Sequence, residues 1–81
     1  MALTLLVENN PKMIEIYLIN LATYVGLEVI VAKNKTEALS LLAGQPLDLI
    51  ICRAKIGPDE VAMALGETLT SQSIRTPLFI I

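Results

Sequence analysis

Three short polar clusters sit directly behind apolar runs, and the side chains able to do chemistry gather there. Glu8, Asn9 and Asn10 follow Leu3 to Val7, Lys33 and Asn34 follow the run that starts at Leu27, and Arg53 and Ala54 follow Leu49-Ile50-Ile51-Cys52. A carboxylate such as Glu8 offers hard oxygen lone pairs to a metal ion or a cationic side chain. Arg53 offers the opposite: its guanidinium has no lone pair for nucleophilic attack and stays protonated at any accessible pH. A fixed cation also repels a metal ion beside it. The expected arrangement brings Glu8 and Arg53 to ~4 Å across neighbouring strand ends, with Arg53 standing in for a metal and holding the site in one state. The competing arrangement points Arg53 into solvent.

The remaining reactive side chains carry less. Cys52 is the single cysteine, so no internal disulfide is possible, and it ends an apolar run where an unpaired cysteine behaves as a small hydrophobe. Histidine is absent, which excludes metal sites built on Cys and His. Asp48 starts its run rather than ending it, the wrong end for chemistry, and reads as a solvated or capping carboxylate. Lys55 reads as a solubilising lysine. Asn9, Asn34 and Arg53 together could hold an anion, which keeps a small-ligand sensor as an alternative. No catalytic residue, cofactor or metal is expected.

The elements that must position these residues alternate along the chain. Leu3 to Val7 is too short for a helix and reads as a buried strand. Asn10 suits a helix N-cap and Pro11 the first helical position, and this first helix is expected to run to Val25 with Gly26 as its left-handed stop. Leu27 to Val31 reads as the second strand. Asn34-Lys35-Thr36-Glu37 has capping-box spacing, with Glu37 able to reach back to the Asn34 backbone, and opens a helix ending near Gly44. Leu47 to Cys52 is the third strand. Gly57-Pro58-Asp59-Glu60 starts a third helix in which Val61, Leu65 and Leu69 recur every four residues as a core stripe. Leu78 to Ile81 is the fourth strand. The order βαβαβαβ favours α/β architecture: a three-layer, doubly wound parallel sheet with right-handed crossovers and functional groups beyond the strand C-termini.

Composition agrees with one small globular domain over residues 1–81. Hydrophobic residues make up 54% of the 81, charged residues 17%, and the net charge is −2. That balance argues against disorder and leaves no basic footprint for a nucleic acid. The N-terminus lacks a basic signal-peptide start, and polar residues interrupt each apolar run before the ~18 residues a membrane span needs. A soluble, cytoplasmic, reducing setting is expected, with neither nucleic acid nor membrane as a partner.

Leu5-Leu6-Val7-Glu8-Asn9-Asn10-Pro11, Gly26-Leu27-Glu28-Val29, Ala32 to Thr36-Glu37-Ala38-Leu39, Asp48-Leu49-Ile50-Ile51 and Pro77-Leu78-Phe79-Ile80-Ile81 follow one another in an order and spacing that resembles the receiver domain of bacterial response regulators. The resemblance covers the whole chain and implies a CheY-like fold. In that family two acidic residues after the first strand hold magnesium, and the matching positions here are Glu8 and Asn9. The phosphate-accepting aspartate matches Arg53. The hydroxyl past the fourth strand and the lysine of the fifth would lie beyond Ile81, so the resemblance implies a truncated, degenerate receiver lacking the C-terminal α-β-α portion. One apparent extra residue between Pro11 and Gly26 departs from the family pattern.

The reading that follows is a non-phosphorylatable pseudo-receiver serving as a protein-interaction or dimerisation module in bacterial two-component-like signalling, without enzymatic activity. An atypical phosphoacceptor using another side chain is a further alternative. In the first helix Met13, Ile16, Tyr17, Leu21 and Tyr24 form one apolar stripe and Ile14, Leu18, Ala22 and Val25 a second, so the helix is expected to be covered on two sides. The second stripe and the edge Leu78-Phe79-Ile80-Ile81 form the candidate interaction surface. Its expected occupants are a second copy of the chain, another signalling protein, or the missing remainder of a longer chain.

Overall fold

The computed structural model describes residues 2–24 and 26–81. Seven elements follow in strict alternation: β1 (Ala2–Val7), α1 (Pro11–Leu21), β2 (Leu27–Ala32), α2 (Lys35–Gly44), β3 (Leu49–Cys52), α3 (Val61–Ser71) and β4 (Leu78–Ile80). The strands form one parallel sheet in the order β2-β1-β3-β4. The crossover from β1 to β2 runs in one direction across the sheet and those to β3 and β4 in the other. Right-handed connections therefore put α1 on one face and α2 with α3 on the opposite face, the expected doubly wound three-layer fold.

Period-two alternation divides the side chains between the faces. Leu5, Val7, Ile50 and Cys52 point toward α2 and α3 and join Ala38, Leu42, Val61, Leu65 and Leu69 in the core. The three-residue stripe expected of α3, Val61, Leu65 and Leu69, is buried at every position. On the α1 face, Thr4 and Leu6 are fully buried, yet α1 itself has no buried residue. The Thr4 hydroxyl is a buried polar atom without a hydrogen-bond partner among the described residues.

Several boundaries differ from the sequence expectation, each for a reason visible in the hydrogen bonding. α1 stops at Leu21 rather than Val25, which itself lies outside the described residues. The Asn20 side-chain amide donates to Ile16 O at 2.8 Å and the Thr23 hydroxyl to Asn20 O at 2.7 Å. The backbone then tightens to bonds from Thr23 N to Asn20 O and Tyr24 N to Leu21 O. These polar side chains offer the last carbonyls an alternative to another helical turn. Gly26 does take the left-handed conformation, at φ +82°, and turns the chain into β2.

In α2 the Asn34 side chain caps Glu37 N at 2.8 Å, but Glu37 reaches Lys33 N at 2.9 Å instead of the Asn34 backbone. β3 begins at Leu49, not Leu47: the Asp48 side-chain carboxylate, rather than a backbone carbonyl, accepts Leu3 N at 2.7 Å, while the Asp48 N–H donates to Leu3 O at 2.8 Å. Asp48 is thus a capping carboxylate that ties β3 to β1 at the end of the sheet away from Glu8. α3 starts at Val61, since Gly57-Pro58 is consumed by a turn closed by reciprocal Ile56–Asp59 backbone bonds. β4 ends at Ile80, although Ile81 N still donates to Cys52 O at 2.9 Å.

Candidate functional site

β1 and β3 are adjacent, with Val7 level with Cys52, so the next residues, Glu8 and Arg53, emerge side by side. This is where crossovers leave in opposite directions, the crevice in which open α/β sheets place their ligands. Arg53 N donates to Val7 O at 3.1 Å and Glu8 N to Ala32 O at 3.0 Å, which continues both ladders through the site.

Glu8 is 2% exposed, and its Oε2 accepts three donors: Asn9 N at 2.9 Å, Asn10 N at 3.1 Å and Arg53 Nη1 at 3.3 Å. Asn10 in turn caps α1, its Oδ1 accepting Lys12 N at 3.0 Å and Met13 N at 3.3 Å. One carboxylate therefore ties the β1 turn, the start of α1 and the end of β3 together. The Arg53 side chain is 44% exposed, so it meets Glu8 from the solvent side through one nitrogen rather than as a bidentate fork. The approach expected of the two residues is present, and the guanidinium does not simply extend into water.

Cys52 lies directly beneath. Its thiol is fully buried and donates to Arg53 O at 3.0 Å. Burial first, and then the Glu8 carboxylate, push the thiol up to about 11, so it stays protonated and unreactive near neutrality.

The other polar candidates do not converge on this point. Asn9 is exposed and contributes its backbone N–H, and Asn34 is engaged in capping α2. Lys55 lies 3.8 Å from Glu60, and Lys35 lies 3.7 Å from Asp59, an ion pair sequence reasoning missed because it joins the first residue of α2 to the turn before α3, 24 residues on. A cavity of about 210 Å³ opens beside the ion pair, lined by Glu8, Met13, Tyr17, Arg53 and Ile81, with neither Asn9 nor Asn34 in its wall.

The side chains present do not suit a divalent cation. Glu8 supplies a single carboxylate whose Oε2 already faces a guanidinium, and a fixed positive charge within bonding distance repels a second one. Among the described residues, no three His, Cys, Asp or Glu side chains group as metal ligands.

The candidate interaction residues divide. Ile14, Tyr17 and Leu21 are half-buried against the sheet, which joins members of both stripes in one inward face, while Leu18 and Ala22 are exposed. The most outward apolar side chains of α1 are Ile16 and Ile19, 49% and 62% exposed. Ile19 belongs to neither of the expected stripes. In β4, Leu78 packs against the core, whereas Phe79 and Ile80, and Ile81 just past the strand, are exposed.

No protein-family model and no curated protein matches the chain by sequence. Solved structures do match it. The receiver domain of Francisella response regulator 1452 superposes with a TM-score of 0.84 at 22% identity, covering 99% of this chain and 64% of that one. Chemotaxis response regulator CheY4 of Vibrio cholerae gives 0.83 at 23% identity, covering 99% and 67%. A structure of histidine kinase ThkA in complex with response regulator protein TrrA gives 0.83 at 22% identity, again covering 99% and 67%. The fold is that of response regulator receiver domains, CheY-like, and the chain spans about two thirds of the length of the chains it matches.

Proposed function

We propose that the chain is a receiver-like signalling module of a bacterial two-component-type pathway that works by protein contact and takes up no phosphoryl group at the strand-end site. One observation carries this reading: Arg53, which cannot act as an acceptor, follows β3 and lies 3.3 Å from the single carboxylate of the site. The module has no catalytic role of its own, and the tethered guanidinium holds the site in one state.

The partner class is protein. The receiver fold supports this, as does the likeness to a response regulator solved with a histidine kinase. The exposed apolar side chains of α1 and β4 supply the contact surface, with a second copy or another signalling protein as its occupant. The small negative charge makes nucleic acid a poor partner, and no helix among the described residues is long and apolar enough to cross a membrane. The proposed setting is the cytoplasm.

Incubation of the 81-residue chain with labelled acetyl phosphate and magnesium tests the reading. No label is expected on the protein. Uptake as an acyl phosphate, released by hydroxylamine, would show that another carboxylate serves as acceptor and would overturn it.

A further inference from the structure

We draw no further inference here: the strongest candidate, the apolar groove between the β3–α3 turn and the end of β4, lined by Ala54, Lys55, Glu60, Ala62, Met63 and Ile80, holds no buried polar side chain that would select a ligand, and nothing in the structure shows what covers it.

Discussion

Replacing Arg53 by Met removes the guanidinium while keeping much of its stem, and leaves Glu8 as a buried carboxylate held only by two backbone amides. At the 3.3 Å separation, an effective dielectric near 20 gives an attraction of about 5 kcal/mol, which is an upper bound. Arg53 is nearly half exposed, so solvent screens it toward the 0–1 kcal/mol of surface pairs. Glu8 is buried, and breaking a buried pair pulls the other way, toward about 3–5 kcal/mol. A destabilisation of about 1–3 kcal/mol lies between these limits. A domain of this size has only about 4–12 kcal/mol to lose, so the effect is large. In urea, with a slope near 1 kcal/mol/M, the midpoint should fall by about 1–3 M. Glu8→Gln removes the charge from the other side, and Glu8→Gln with Arg53→Met leaves no buried ion to orphan. The double variant should therefore be less destabilised than the sum of the single ones, by a coupling of about 1–2 kcal/mol. A coupling within about 0.3 kcal/mol of zero would mean that the pair contributes nothing and that the tethered-cation argument is wrong.

Two further outcomes follow from the same end of the sheet. The Cys52 thiol is raised from 9.0 to about 11 in the folded chain, so between those values the unfolded chain loses a proton that the folded chain keeps. Stability from this group is intact below pH 9 and falls as pH rises toward 11, by about 2 kcal/mol, and urea titrations at pH 8 and 10.5 should show that extra loss in the native chain but not in Cys52→Ala. Asn10→Ala removes the two side-chain bonds that cap α1 and should cost about 1 kcal/mol in the same assay, without the coupling to Arg53→Met that Glu8→Gln shows.

Local chemistry was legible in the sequence where a residue acts on its own neighbours. Asn10-Pro11 and the Asn34 to Glu37 spacing marked helix starts, the Val61, Leu65, Leu69 stripe marked a buried face, and the strand ends brought Glu8 beside Arg53. What escaped depended on contacts with no local signature. Asp48 bonds Leu3 across 45 residues, and nothing in its own segment distinguishes such a lateral tie from a solvated carboxylate. The early end of α1 came from Asn20 and Thr23 competing for carbonyls, a choice that apolar periodicity cannot register. The facing of α1 was lost for a related reason: a helix apolar around most of its circumference does not say which third meets the sheet. Only the burial of Ile14, Tyr17 and Leu21 settles it, and with it the exposure of Ile16 and Ile19.

A tethered guanidinium differs from a bound metal ion in one respect that bears on signalling. A metal site fills and empties with ion concentration, and its occupancy can be linked to a second event. Arg53 is covalently attached at the end of β3, 3.3 Å from Glu8, so its local concentration there does not vary. Because Glu8 Oε2 also holds Asn9 N and Asn10 N, the same constancy extends to the start of α1. A state change at this end would need a partner that binds Glu8 or Arg53 better than they bind each other, by at least their coupling energy. In the proposed function the strand-end site is therefore a fixed support, and what varies is the occupancy of the apolar surfaces on α1 and β4, which responds to protein concentration instead of to phosphoryl or metal supply.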